Sequence, residues 1–255
     1  LWSSSTLVAS VALTFGSLFA GIGGFDIALR NEGFRHRWAV EADEYCRRVL
    51  QHRFYPLTVY NDVRNVDWKS VAPVDLLCGG FPCQDISIAS STRAGIDGAR
   101  SGLWRNFRDA IEEVKPKYVI IENSDQLVRR GLATVLSDLA ALGYDAEWDR
   151  IPAAAVGAPH LRWRLFVVAY SSEVRYIGTN CFGESRRGSF ARYIEEARSQ
   201  WASEPTIRRV AYGVPDWLDR TAALGNAVVP QVVQYIARTI ATAHQGSVRQ
   251  LTDSR

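Results

Sequence analysis

The sequence predicts an α/β fold: a doubly wound, mostly parallel sheet with helices on both faces and a small lobe attached. Three observations lead there. Short apolar runs bounded by glycines alternate with amphipathic stretches as far as Tyr170. A glycine-rich turn separates the first apolar run from the first amphipathic stretch, where open α/β sheets take ligands. After Tyr170 the character changes: residues 171–210 hold seven Arg against five Glu, several Ser and Gly, and no long apolar run.

Each element has a local reason. Val11–Leu18 is apolar and bounded by glycines, as a strand buried on both faces would be. Phe25–Asn31 reads as a short helix ended by Gly33, and Arg37–Glu41 as a second strand. Asp43 can cap a helix running to about His52. Val59–Tyr60 is a third strand and Val74–Cys78 a fourth, followed by Gly79-Gly80-Phe81-Pro82. Ser101 can cap a helix whose Phe107, Ala110, Ile111 and Val114 share one face until Pro116 stops it. Tyr118–Ile121 is a fifth strand. Asp125 opens a helix through Leu127, Val128, Val135, Leu136 and Leu139, closed by Gly143. Leu165–Ala169 is another strand, and Val228–Thr239 returns to helical spacing.

The composition narrows the function classes. With 255 residues, 47% hydrophobic and 22% charged, the chain has material for a buried core, which excludes a disordered tail or a disulfide-stapled miniprotein. A net charge of +3 permits nucleic acid as a partner without demanding it. Cys46, Cys78, Cys83 and Cys181 form no CxxC pair and no two of the four histidines stand close together, so neither a zinc site nor a disulfide framework is expected. Residues 7–29 carry only Asp26 as a charge, but glycines interrupt the run before it reaches the roughly 20 apolar residues of a membrane span. No membrane association is expected. The chain has no Met, so Leu1 reads as a position inside a longer reading frame.

Four groups of residues can carry chemistry. In Phe19-Ala20-Gly21-Ile22-Gly23-Gly24 the glycines let backbone approach a ligand at a helix N-terminus. Glu41, 20 residues past Gly21, stands where a carboxylate accepts hydrogen bonds from ribose hydroxyls, and Asp62 follows the third strand, where it could meet an adenine amine. Asp26 occupies the last position of a would-be G-x-G-x-x-G, which argues against a nicotinamide dehydrogenase. Cys83, flanked by Pro82 and polar residues after the fourth strand, fits a buried small hydrophobe badly, whereas Cys78 inside the strand fits it well. A nearby arginine or helix N-terminus could hold Cys83 as thiolate. Glu122 and Asn123 end the fifth strand beside it. Arg162 and Arg164, at i and i+2, share one face of the strand they enter. Gly225-Asn226-Ala227-Val228 opens the last helix.

In order and spacing these blocks resemble the DNA cytosine-5 methyltransferases. Phe19–Gly24 resembles the family's cofactor turn, Gly80–Gln84 its nucleophile loop, Glu122-Asn123 its acidic block, His160-Leu-Arg162-Trp-Arg164 its arginine block and Gly225–Pro230 its closing helix. The likeness covers about residues 13–170 and 208–240. It implies a Rossmann-like methyltransferase sheet over 1–170, a small target-recognition lobe over 171–221, a C-terminal helix over 222–245 returning to the catalytic domain, and a tail over 246–255. It also implies S-adenosylmethionine as cofactor, with Phe19, Gly21, Gly23 and Pro82 lining its site, Glu41 on the ribose, Asp62 on the adenine, and Asn226 with Val228 closing it. Cys83 would attack C6 of a flipped cytosine. Glu122 would serve N3 and the exocyclic amine, with Arg164 and Arg162 at the base carbonyl. Gln84, Ser87 and Asn123 would contact the substrate.

The implied partner is double-stranded DNA, met by a monomeric, cytoplasmic enzyme encoded by a bacterium or phage, with a cognate restriction endonuclease as a possible companion. Ser124 replaces the valine usual after Glu-Asn, and Ala42 stands where many relatives carry a larger apolar residue. The lobe is short for the family, yet it offers Arg186, Arg187 and Arg192 with Phe182, Phe190 and Tyr193 for phosphate and base contacts. Two alternatives stay open. One branch of the family methylates tRNA, which a short lobe would suit, and a non-catalytic homologue could keep the fold for binding nucleic acid.

Overall fold

The computed structural model describes residues 12–82, 102–174, 182 and 223–253, with side chains as far as residue 246. Its seven strands are β1 (Thr14–Leu18), β2 (Arg35–Val40), β3 (Thr58–Tyr60), β4 (Leu76–Gly79), β5 (Tyr118–Ser124), β6 (Tyr144–Pro152) and β7 (Trp163–Ser171). They form one sheet in the order β3-β2-β1-β4-β5-β7-β6. Strands β1 to β5 pair in parallel, while β7 runs antiparallel between β5 and β6. The chain winds outward in both directions from β1, so its carboxyl end with that of β4 marks the switch point where such sheets bind ligands.

Helices α1 (Gly24–Asn31), α2 (Glu44–Arg53), α3 (Leu103–Val114), α4 (Leu127–Arg130), α5 (Leu132–Ala141) and α6 (Pro230–Asp253) flank the sheet. The period of two along the central strands divides the core between its faces. Ile120, Phe166 and Val168 pack with Phe25 and Leu29 of α1 and Val233 and Ile236 of α6. Val119, Ile121, Val167 and Ala169 pack with Phe107 of α3 and Val135 and Leu139 of α5. Arg238 and Glu32 tie α6 to α1 through an ion pair at 2.8 Å.

Most expected elements are present, and Asp43 caps α2 by accepting the Cys46 N–H at 2.8 Å. Several expectations are corrected. The helix expected from Asp125 to Gly143 is two, because Gly131, a poor helix former, leaves helical geometry at φ −172°. Strand β6 is not expected from sequence at all. Its Asp145, Glu147, Asp149 and Arg150 resemble a solvated loop, but an edge strand needs only one neighbour and partial burial. The fifth strand continues past Ile121, so Glu122 and Asn123 lie within β5. The last helix starts at Pro230, a residue suited to a first turn, and runs beyond Thr239 to Asp253. Val11, Ser101 and nearly all of the lobe at 171–221 lie outside the described residues.

Candidate active site

A cavity of about 860 Å³ opens at the carboxyl ends of β1, β2, β4 and β5, in the size range of small-molecule sites. One half is built on the glycine turn. Gly21 at φ +56° and Gly23 at φ +87° adopt left-handed backbone, which glycine takes without a Cβ penalty. The Gly21 N–H, turned inward, donates to Oε2 of Glu41 at 2.6 Å, and the Asp43 N–H donates to Oε1 at 2.8 Å. Burial pushes the Glu41 carboxyl up and these backbone donors pull it back. Glu41 thus locks two loops and keeps lone pairs for a ligand's hydroxyls. Asp62 lines the same cavity but is bound by Arg64, whose side chain reaches it at 2.6 Å. That hydrogen bond holds the Asp62 carboxyl below its usual range.

Phe19, Pro82, Asn226 and Val228 also line the cavity. Gly23 faces the other way: a Cβ there would stand 2.6 Å from the Phe54 ring. It shapes the turn, with Gly24 at the wall instead.

The other half lies between β4 and β5. Glu122 is 9% exposed, and its Oε1 lies 2.9 Å from Nε of Arg164. Burial raises its pKa to about 7 against the pull of Arg164 and Arg162, so the carboxyl holds a proton in part at neutral pH. Gly80 passes against it: a Cβ on Gly80 would lie 2.6 Å from Oε2 of Glu122. Asn123 is buried, its Nδ2 donating to the Phe81 carbonyl at 3.0 Å and its Oδ1 accepting the Ser124 N–H at 2.8 Å. It ties β5 to the loop that leads through Pro82 to Cys83. Cys83, Gln84 and Ser87 themselves lie outside the described residues. Cys78 is buried in β4 as expected, and burial pushes its thiol up.

Residues 13–204 match the family profile described as C-5 cytosine-specific DNA methylase. The chain belongs to that family. It is 35% identical over 181 residues to the type II methyltransferase M.Sau3AI of Staphylococcus aureus, covering 62% of this chain and 43% of that protein. With M.HpaII of Haemophilus parainfluenzae it shares 35% identity over 177 residues, covering 66% and 48% respectively. The chain thus spans less than half the length of either relative. Its fold is like that of the Entamoeba histolytica methyltransferase EhMeth, with a TM-score of 0.66 at 14% identity, covering 90% of this chain and 98% of that one.

Within this methylase-family chain the two arginines do not share a strand face. Arg162 precedes β7 with φ +27°, and its guanidinium reaches the carbonyls of Gly225 and Ala227. Arg164, inside β7, turns to Glu122. Ser124, the departure from Glu-Asn-Val, acts locally, since its Oγ accepts the Gln126 N–H at 3.2 Å and shapes the turn after β5. Arg105 and Asn106 in the first turn of α3 also line the cavity. Neither is expected from sequence, where only the apolar face of that helix carries a pattern. Two polar residues in the first turn of the helix that comes next in the chain after β4 are the available signal. Among the described residues no cluster of His, Cys, Asp or Glu could hold a metal ion, and no helix is long and apolar enough to cross a membrane.

Proposed function

We propose that this chain carries the catalytic machinery of a site-specific DNA cytosine-5 methyltransferase that uses S-adenosylmethionine. The observation that carries the reading is one cavity lined by Glu41 and Gly21 at one end and by Glu122, Arg164 and Pro82 at the other. A nucleoside-shaped cofactor fits the first end, where Glu41 offers acceptors to a ribose and Gly21, Gly24 and Phe19 form the wall. Asp62 lines the same end, and an adenine amine would share its two oxygens with the Arg64 backbone N–H and guanidinium that already engage both. S-adenosylmethionine, when bound, supplies an electrophilic methyl carbon.

The chain's own residues make C5 of the base able to take it up. The Cys83 thiolate adds to C6, forming an S–C6 bond and pushing electron density toward C5 and N3. Glu122, half-protonated near neutrality, holds a proton at N3 as that charge develops. Arg164 orients the acid and contacts the base carbonyl. Loss of the C5 proton to solvent water then re-forms the C5–C6 double bond and expels Cys83 as thiolate, while the proton held at N3 returns to Glu122. The target atom is shielded in a duplex, so the cytosine is flipped out, with double-stranded DNA as the partner.

The test is a denaturing-gel trapping assay with duplex DNA carrying 5-fluorocytosine in varied contexts and S-adenosylmethionine. Fluorine at C5 does not leave as a proton does, so the expected result is a shifted covalent band, lost in Cys83→Ser. A band that persists in Cys83→Ser refutes the mechanism. A band with fluorinated tRNA and none with DNA moves the substrate to RNA.

A further inference from the structure

Arg162 stands just before β7 at φ +27°, a left-handed conformation that bulky side chains rarely adopt. Its backbone is pinned, because the Ala153 N–H is shared between the carbonyls of Leu161 at 2.8 Å and Arg162 at 3.2 Å. Strained backbone of this kind persists where the surroundings over-determine it. Here it aims the guanidinium at a segment more than 60 residues away in sequence: Nη1 donates to the Gly225 carbonyl at 2.7 Å and Nη2 to the Ala227 carbonyl at 3.0 Å. Helical backbone over residues 223–226 ends before Ala227, and the last carbonyls of a helix have no partner within it. A planar fork of donors is suited to two acceptors at a fixed spacing.

That segment is a wall of the cavity. Ala223, Asn226 and Val228 line it. Val228 presses directly on the start of α1: a Cβ on Gly24 would lie 2.7 Å from its Cγ1 and 2.9 Å from its carbonyl oxygen.

We infer that Arg162 is a positioning residue that latches the 223–228 segment over the cofactor half of the cavity, and does not contact the base. This assignment rests on the cofactor reading above. It differs from the role expected for Arg162 from sequence, and the two separate experimentally.

Binding of S-adenosylhomocysteine to the full chain, measured by calorimetry without DNA, reads the latch directly. Arg162→Ala is expected to weaken binding roughly tenfold or more, since it removes two charge-assisted hydrogen bonds. Arg162→Lys keeps the charge but not the fork, and falls between. In steady-state assays KM for the cofactor rises by a larger factor than kcat falls. Unchanged S-adenosylhomocysteine affinity together with loss of the trapped band would overturn the latch and restore the base contact. Should Arg162→Ala fail to fold by circular dichroism, Arg162→Lys and Val228→Ala carry the comparison. If both act through one latch, their combination weakens binding no more than the stronger single change, whereas multiplying effects overturn the inference. A wild-type chain that fails to bind S-adenosylhomocysteine overturns the cofactor reading itself. That outcome is distinct from failure of the latch alone, in which wild type and variants bind equally.

Discussion

A methyl group added at Gly80 would stand 2.6 Å from Oε2 of Glu122 and 3.4 Å from its backbone oxygen. Gly80 is not in left-handed backbone, so Gly80→Ala carries no conformational strain and its cost is steric. To regain ordinary contact the carboxylate must withdraw by about 1 Å. Rotation is the only easy route, since Glu122 is anchored in β5 between β4 and β7 and its other oxygen lies 2.9 Å from Arg164. For an acid that serves the base as proposed, a displacement of that size costs on the order of 100-fold in rate, while overpacking of this kind costs about 1–3 kcal/mol of stability. Single-turnover methyl transfer to duplex DNA, alongside thermal unfolding, measures both. The expected outcome is a Gly80→Ala protein that folds, melts a few degrees lower, and transfers methyl roughly 100-fold more slowly. Shortening the acid removes the clash, so Gly80→Ala in a Glu122→Asp background costs little further rate. A wild-type rate in Gly80→Ala, or full multiplication of the two effects, would refute the reasoning.

The other predictions concern the same edge of the sheet and the layer beneath it. With its pKa raised to about 7 by burial, Glu122 loses its proton above neutrality, so wild-type kcat declines as pH rises through about 7, and Glu122→Gln is slow but lacks that decline. The same shift lowers stability as pH rises from the ordinary carboxylate range to about 7, because the folded state holds the proton more tightly than the unfolded. Thermal melts should therefore show Glu122→Gln gaining on wild type between pH 4 and pH 8, by on the order of 3 kcal/mol; parallel melting curves would count against a proton on Glu122. Asn123→Ala leaves the Phe81 carbonyl and the Ser124 N–H without the side chain that binds both. A loss of roughly 1–3 kcal/mol is expected in urea unfolding, with kcat reduced more than cofactor affinity. Asp26→Ala removes the buried acceptor of the Ser17 hydroxyl at 2.6 Å and the His36 ring at 2.9 Å. It should lower stability by roughly 1–3 kcal/mol, and an unchanged denaturation midpoint would show that pair to be dispensable.

Much of the site is legible in the chain because its chemistry is local. Gly21 and Glu41 are read from a turn and a strand end, and the structure joins them by a 2.6 Å hydrogen bond. Cys78 is read as core from its apolar strand, and burial bears that out. Other residues act across the sheet. The Asn123 amide donates to the Phe81 carbonyl, a tie between β5 and the loop after β4 that no local pattern announces. Arg162 and Arg164 are equivalent by spacing, and only the break in backbone geometry before β7 sends them to different partners. Arg105 and Asn106 enter the cavity because of where α3 packs, which no pattern within that helix encodes.

By itself the sequence determines the alternation of strands and helices, the glycine turn after the first strand and the Asp43 cap. It also determines the presence of Glu41, Cys83, Glu122 and Arg164, in the order that marks the family. These depend on side-chain periodicity, backbone freedom and capping, all set within a few residues. Only the tertiary structure decides that β7 runs antiparallel between β5 and β6, that Gly80 must give way to Glu122, and that Arg162 grips a turn more than 60 residues on. Those outcomes depend on which strands become neighbours and how closely their ends approach. That is settled by packing one core on each face of the sheet, a property of the whole chain.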